Sequence, residues 1–434
     1  MSTTTAPPGT QPEQRGGFTL IGPGLVVAAT GVGAADLVAT VIAGQKFGYA
    51  LLWAVIVGCI LKIALVEGAG RYSLATGHTI YEGWRSLGRW TSWYFAPYIV
   101  IWGFVYGAAA MAGTGIPLNA LFPGLSVAWW GVISGLLGAG LVLVSRYAVF
   151  EKAVFEKVCA ALVGVMFVVM VLAAAFTVPN LGELAAGLVP SIPEGGLVNL
   201  LSVAGGVGGT ITLAAYGYWI REKGWTTDGH MRLMRVDNTV AYVVTGIFVI
   251  ATLIVGAELL YSSNQAVAGG EKGLLQLSDV LAERYGRFVG TLFLVGFWAA
   301  AMSSLIGVWN GVSMMFADFA GDALGRPEDH PDRQARGKWY VAYVLWLTFP
   351  PMIMMFVGEP VWLILAYGVL GAFFMPFLAV TLLWILNTDR TPAIWRNTWL
   401  SNVLLVICTA LFAYLAAQQL MNLGGQLAEF VRGL

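Results

Sequence analysis

The sequence predicts an all-α membrane protein with many spans, built as two inverted repeats of five spans followed by an eleventh span. Hydrophobic residues make up 58% of the 434 residues and charged residues only 11%, whereas soluble proteins average about 25% charged residues. Long apolar segments recur along the chain, and two of them, half a chain apart, are interrupted by glycines. The net charge of zero gives no indication of nucleic-acid binding.

Eleven apolar segments are long enough to cross a bilayer core of about 30 Å. We expect spans near residues 20–42, 51–69, 90–112, 125–144, 158–178, 200–220, 240–260, 288–316, 339–357, 360–386 and 399–420. Two groups of five spans that start on opposite sides of the membrane form an inverted repeat. We therefore divide one transmembrane domain, 18–434, into a first repeat at about 18–180, a second at about 198–387 and the extra span at about 399–420.

The polar segments predict how the chain is oriented. Residues 1–17 are polar and lack the apolar core of a signal peptide, so we expect a disordered cytoplasmic tail. Most of the 23 Lys and Arg residues fall in alternate loops, and cytoplasmic loops retain such residues. The N-terminus is therefore predicted to be cytoplasmic and the C-terminus to lie outside, in a multi-pass protein of the cytoplasmic (inner) membrane.

Spans one and six contain the two glycine interruptions. Span one includes Thr30, Gly31, Gly33 and Asp36, and the glycines of span six lie at 205–209. Interrupted spans at matching positions of two repeats are typical of a secondary transporter's binding site, and an ionisable residue inside a span usually serves function. Alternatively the glycines only let helices pack closely. We predict a substrate site formed by Thr30, Gly31, Gly33, Asp36, Ala214, Ala215 and Tyr216.

Short motifs along residues 20–400 follow one another in a characteristic order. They are Gly22-Pro23-Gly24, Ala43-Gly44-Gln45-Lys46-Phe47-Gly48-Tyr49, Leu74-Ala75-Thr76-Gly77, Phe155-Glu156-Lys157-Val158, Ala300-Ala301-Met302-Ser303-Ser304, Pro376-Phe377 and Asn387-Thr388-Asp389-Arg390. In this order the motifs resemble those of the Nramp divalent-metal transporters. The resemblance implies a LeuT-type fold with spans one and six broken, and metal-ion uptake by symport with protons.

The chain departs from the family at the metal site. The family's Asp-Pro-Gly-Asn in span one is replaced by Gly33-Ala34-Ala35-Asp36, and its Met-Pro-His in span six by Leu213-Ala214-Ala215. Span three has no acidic residue, and the histidines, which are His78, His230 and His330, all fall in predicted cytoplasmic loops. Because a thioether selects softer metals, its loss removes the basis for discriminating against hard cations. The resemblance therefore implies a relative with a rebuilt site.

Two kinds of solute fit this rebuilt site. One carboxylate, that of Asp36, with backbone carbonyls and retained waters suits a hard, partly hydrated divalent cation such as Mg²⁺, with Asp36 as the metal ligand. Alternatively, the N–H groups near Gly31 and Gly33 hold the carboxylate of a small zwitterion such as an amino acid, and Asp36 or span-six carbonyls hold its amine. A third interpretation gives Asp36 only a structural hydrogen bond to an exposed helix end.

Two charged residues of span two are candidates for coupling. Lys62 lies near the middle of the span, where an ammonium needs a partner or sheds its proton. It either titrates during transport, replaces a coupling cation or forms a fixed ion pair with a neighbouring carboxylate. Glu67 lies one helical turn before Arg71, which favours a structural pair for this second candidate.

Other functional classes find little support. A sensor built on a transporter fold would normally append a soluble domain, but the longest cytoplasmic segment, about 317–338, is only a charged loop. No catalytic Ser/His/Asp set, Cys/His cluster or phosphate loop appears in a site-like context, so we predict no enzyme and no cofactor. The predicted partners are a small solute and the lipid bilayer, without an obligate protein partner or nucleic acid.

Overall fold

The fold is all-helical over the described part of the chain. The computed structural model describes residues 34–144, 149–177, 179–206, 208–261, 271–357 and 360–432, which contain helices and no strands. The α-helices are α1 (Ala34–Phe47), α2 (Leu52–Thr76), α3 (Ile80–Ser86), α4 (Arg89–Leu121), α5 (Val127–Val144), α6 (Val149–Phe176), α7 (Leu181–Ala186), α8 (Leu197–Leu201), α9 (Thr212–Glu222), α10 (Met231–Val255), α11 (Glu271–Tyr285), α12 (Arg287–Ala323), α13 (Lys338–Thr348), α14 (Met354–Val357), α15 (Pro360–Ile385) and α16 (Trp399–Arg432). Turns of π-helix follow α8 over Ser202–Gly206 and α10 over Gly256–Tyr261.

The predicted fold class is confirmed. Each predicted span contains helix, and among the described residues seven helices are apolar and long enough by themselves to cross a membrane. Span one is described only from Ala34, so Thr30, Gly31, Gly33 and the predicted tail 1–17 lie outside the described residues. The boundaries of the two repeats stay a prediction.

The end of span two lies seven residues beyond the predicted limit because a glycine sets it. The helix α2 continues to Thr76, where Gly77 adopts φ +73° and donates its N–H to the carbonyl of Ser73. A left-handed residue after the last turn satisfies an otherwise unpaired carbonyl, and glycine adopts this conformation without steric cost. Apolar length alone could not locate this end, since the last turns of α2 carry polar residues.

Span six is broken, as predicted. Its first half is α8 with the π turn that follows, and its second half, α9, begins at Thr212. Between them Gly208 and Gly209 have φ values of +76° and +95°, a region that residues with a Cβ rarely adopt. These two glycines therefore serve the interruption itself.

Gly205 serves close packing instead. A Cβ built on it would lie 2.7 Å from the nitrogen of Ala372 and 2.8 Å from the carbonyl oxygen of Gly368, both on α15. Span ten therefore lies backbone to backbone against the π turn that follows α8. The two explanations offered for the glycines of span six thus apply to different residues of the same segment.

Candidate functional site

Asp36 connects the two interrupted spans. It is the third residue of α1, where a carboxylate in the first turn is favoured by the helix dipole. The residue is only 2% exposed, and its Oδ1 accepts a hydrogen bond of 2.6 Å from the N–H of Gly208. The carboxylate thus satisfies a backbone donor that the break in span six leaves without a helical partner.

Lys62 reaches the same break from α2. Its side chain is fully buried, and Nζ donates to the carbonyl of Gly205 at 3.0 Å. Its Cδ would lie 3.5 Å from a Cβ built on Gly208, so the lysine stem passes the residue that Asp36 contacts. The charges of Asp36 and Lys62 interact electrostatically, which offsets part of the cost of burying each. The break is therefore held by two side chains of opposite charge.

Aromatic side chains form a wall beside the break. The hydroxyl of Thr210 accepts from Trp102 Nε1 at 2.9 Å and donates to the Tyr367 hydroxyl at 3.3 Å. Trp102 stacks on Tyr106 with ring centroids 4.7 Å apart, and Tyr106 lies 5.1 Å from the ring of Tyr367. We call Trp102, Tyr106 and Tyr367 the aromatic wall. Its members come from α4 and α15 and are nearly inaccessible to solvent.

A further tyrosine donates a hydrogen bond to the backbone of the break. The hydroxyl of Tyr242, on α10, donates to the carbonyl of Gly208 at 2.7 Å. Gly208 therefore has both of its backbone groups bound by side chains, its N–H by Asp36 and its carbonyl by Tyr242. Buried backbone groups need such partners, and here the partners are side chains of two other spans.

Sequence reasoning missed Tyr242, Thr210 and the aromatic wall. The only available signal was the spacing of Trp102 and Tyr106, which puts them on one face of a helix. That spacing is equally typical of aromatic residues that face lipid, so it did not indicate a site. These residues become site candidates only once the helices are placed together.

The structure places three predicted residues in the second half of span six. Ala214, Ala215 and Tyr216 are fully buried in α9. The Tyr216 hydroxyl donates to Asp237 Oδ2 at 3.1 Å, and its ring lies 2.9 Å from a Cβ built on Gly70. This hydroxyl therefore serves the contact of α9 with α10 and is directed to Asp237 instead of Asp36.

Glu67 is held in a double ion pair. Its carboxylate oxygens lie 3.1 Å from Arg71 Nε and 2.9 Å from Arg235 Nε. Arg71 is itself fixed by the Trp395 carbonyl and the Asn397 side chain, at 2.9 and 2.7 Å. This network joins α2 to α10 and to the segment before α16, so it favours the structural interpretation of Glu67.

The position of Tyr216 leads to a prediction. Tyr216→Phe should leave the affinity for Mg²⁺, a solute that the sequence predicts, unchanged within about twofold, since the lost hydroxyl bonds Asp237. The variant should lose about 1 kcal/mol of stability, the usual contribution of one hydrogen bond. Binding titrations with Mg²⁺ and thermal unfolding of the purified protein measure both quantities. Tyr367→Phe is the matched control, because the Tyr367 hydroxyl bonds Thr210 beside the break. Equal losses of Mg²⁺ affinity in the two variants would show that Tyr216 belongs to the binding site.

Comparison with known proteins assigns the family. The sequence model described as "Natural resistance-associated macrophage protein-like", or Nramp, matches residues 24–422. The chain belongs to the Nramp family. Members of this family are membrane transporters, so the chain is no enzyme, as predicted.

Individual relatives of this Nramp member are distant in sequence. The divalent metal cation transporter MntH of Mycobacterium leprae is 26% identical over 326 residues, covering 70% of this chain and 72% of the relative. The MntH protein of Klebsiella pneumoniae is 24% identical over 298 residues, or 67% of this chain and 69% of the relative.

Solved structures show the same fold. A mutant of the manganese transporter of Eremococcus coleocola matches with a TM-score of 0.73 and 19% identity over 97% of this chain and 90% of that chain. MhsT in complex with L-phenylalanine matches with a TM-score of 0.58 and 13% identity over 91% of this chain and 98% of that one. The predicted LeuT-type fold is confirmed.

In this Nramp member the fold brings the altered motifs together. Asp36 ends the changed motif of span one, and its carboxylate contacts Gly208, which precedes the changed motif of span six. Two of the differences from the family pattern therefore lie near the break in span six.

Proposed function

We propose that this Nramp member is a secondary active transporter that carries a hard divalent cation of the Mg²⁺ type. The observation that supports this most directly is the buried carboxylate of Asp36 at the meeting point of the two interrupted spans. The relatives named as divalent metal cation transporters support a divalent cargo. Asp36 would supply the principal charged ligand, and Thr30, Gly31 and Gly33 stay candidates on the preceding part of span one.

The chemistry of the surrounding groups favours a hard cation. Asp36, Thr210 and Tyr242 offer oxygen atoms to the region of the break, and oxygen ligands are those that Mg²⁺ prefers. Mg²⁺ gives up its water reluctantly and needs only one or two carboxylates, which fits a single aspartate. The position that has methionine in the family is occupied by Leu213, so the sequence supplies no thioether there for softer metals.

Lys62 gives the substrate-free site a balanced charge. A cation that binds Asp36 meets the ammonium that contacts Gly205, and repulsion between them disfavours the charged form of Lys62. We propose that Lys62 releases its proton or withdraws when the cation enters, and that it is the coupling group of this transporter. Glu67, the other candidate, is engaged by two arginines.

A small zwitterion is the second candidate solute, and the aromatic wall is the observation that favours it. An amine would bind Asp36 and a carboxylate would bind Lys62, so a zwitterion would match both charges of the site. Trp102, Tyr106 and Tyr367 would then contact the apolar part of the solute, as aromatic side chains commonly do in ligand pockets.

For the orientation we propose a cytoplasmic N-terminus and an external C-terminus in the inner membrane. The distribution of Lys and Arg between alternate loops supports this arrangement. Under it, α3 and the loop between α12 and α13 face the cytoplasm.

Selectivity tests the proposed cargo. In proteoliposomes the protein should take up Mg²⁺ and Mn²⁺ with affinities within about tenfold of each other, because oxygen ligands discriminate weakly between them. A large excess of Mg²⁺ should therefore suppress uptake of micromolar Mn²⁺. Mn²⁺ uptake that persists under this excess would contradict the hard-cation proposal. Tight binding of small amino acids without any effect of divalent cations would instead support the zwitterion.

A further inference from the structure

A second group of metal-ligating side chains lies far from the break in span six. His78 follows the glycine that ends α2, Glu82 lies four residues later in α3, and Glu328 lies in the loop between α12 and α13. One ligand atom of each residue lies within 4.8 Å of the others. We call these three residues the His78 cluster. Under the proposed orientation it faces the cytoplasm.

The spacing within the cluster suits a single ion. His78 Nδ1 lies 3.2 Å from Glu82 Oε2. Ligands bound tetrahedrally to a metal at about 2.0–2.1 Å are separated by about 3.4 Å. The imidazole and the carboxylate are thus already near the separation that coordination requires, and Glu328 approaches from a different part of the chain.

Glu82 is held in position by neighbouring groups. Its Oε2 accepts from the N–H of Thr79 at 2.7 Å, while the Thr79 hydroxyl caps α3 and donates to Asp318 Oδ2 at 2.7 Å. A capping box of this kind fixes the first turn of a helix. Outer contacts that orient a ligand in this way are typical of metal sites.

Charged groups of both signs surround Glu82. Burial raises the pKa of Glu82, and the charges of Asp318 and Glu328 also raise it, while the hydrogen bond from Thr79 and the charge of Arg221 lower it. Arg333 lies 3.8 Å from Glu82 Oε1 but pairs more closely with Asp318, and Arg85 pairs with Asp322. A bound cation would therefore relieve the repulsion between Glu82 and Glu328.

An ion can reach the cluster through a cavity of about 720 Å³. The cavity is lined by the three ligands together with Tyr72, Asp322 and Arg333, among others. The cluster therefore borders a cavity with room for an ion.

We propose that the His78 cluster binds one divalent transition-metal ion, such as Mn²⁺ or Zn²⁺, at the cytoplasmic face. One imidazole with two carboxylates suits these metals better than Mg²⁺, which rarely takes a nitrogen ligand. The ion would connect the turn after span two to the loop between spans eight and nine. This site goes beyond the proposed function, since it uses none of the residues at the break.

Mn²⁺ binding to the purified full-length protein tests the site. Binding is counted by electron paramagnetic resonance in an Asp36→Asn background, which removes the charged ligand of the proposed transport site. We expect one Mn²⁺ per chain to remain bound in this background. His78→Ala and Glu328→Gln should each weaken that binding at least about tenfold, the loss typical of a disturbed metal site.

Matched variants control for charge and folding. His230→Ala and Asp329→Asn remove a histidine and a neighbouring exposed acid outside the cluster, and should bind Mn²⁺ like the background protein. The His78 side chain is 56% exposed and Glu328 is exposed, so substitutions there should leave the fold intact. Unchanged affinity in His78→Ala and Glu328→Gln, or no Mn²⁺ in the Asp36→Asn background, would overturn the proposal. Normal transport by Asp36→Asn would instead contradict the proposed function alone.

Discussion

Replacing Asp36 with asparagine should reduce transport to background while the protein stays folded. Asparagine keeps an oxygen that accepts the hydrogen bond from Gly208, but it removes the charge that a divalent cation requires. We expect uptake of Mg²⁺ into proteoliposomes to fall at least about a hundredfold, equivalent to about 2.7 kcal/mol. Size-exclusion chromatography and thermal unfolding check that the variant is intact.

Asparagine is a sharper test than alanine. Asp36→Ala should also abolish transport, but it leaves the N–H of Gly208 buried without its acceptor, which costs about 1–3 kcal/mol. Asp237→Asn is the control, because it removes a carboxylate from the neighbouring α10 that bonds Tyr216. Normal uptake by Asp36→Asn would show that Asp36 has only a structural role. Its hydrogen bond with Gly208 is also consistent with that role.

Replacing Lys62 with methionine should separate transport from the proton gradient. Methionine keeps the apolar stem that passes Gly208 and removes the ammonium that donates to Gly205. We expect the variant to exchange Mg²⁺ across the membrane but to lose accumulation driven by a pH gradient. Its affinity for Mg²⁺ should rise about tenfold or more, since the substitution removes the repulsion between the ammonium and the cation.

Parallel measurements of Mg²⁺ uptake and proton flux decide this prediction. Glu67→Gln is the control and should keep wild-type proton flux, because Glu67 is bound between Arg71 and Arg235. Undiminished proton flux in Lys62→Met would show that Lys62 has a structural role at the break and does not couple transport to protons. Proton flux lost only in Glu67→Gln would transfer the coupling role to the other candidate.

The fold could be predicted from the sequence because its signals are local. The lengths of the apolar segments define the spans, and the glycines at 205–209 mark the interruption whatever packs around it. Helix ends were less predictable, since the end of α2 depends on Gly77 and not on hydrophobicity. The order of the motifs supplied the family, which the match over residues 24–422 confirms.

The candidate site was only partly predictable. Asp36 was singled out because a carboxylate inside a span is rare, and it does contact span six. Lys62 was singled out for the same reason, but its contact with Gly205 depends on how α2 is rotated against the break. The hydroxyl of Tyr216 is directed to α10 by the rotation of α9, and the residues that contact Thr210 come from distant spans. Such contacts arise from tertiary packing, which short-range patterns do not encode.

The missing side chain at Gly205 has a consequence for how the transporter moves. Because the π turn after α8 lies against the backbone of Gly368 and Ala372, no layer of flexible side chains can absorb sliding between the first half of span six and span ten. These two segments should therefore travel as one piece during the transport cycle. Asp36 and Lys62 contact the same break through side-chain hydrogen bonds, which can exchange partners without any change in backbone packing. Movement within the site would then take place at the contacts of these two charged side chains. Span ten would move together with the first half of span six.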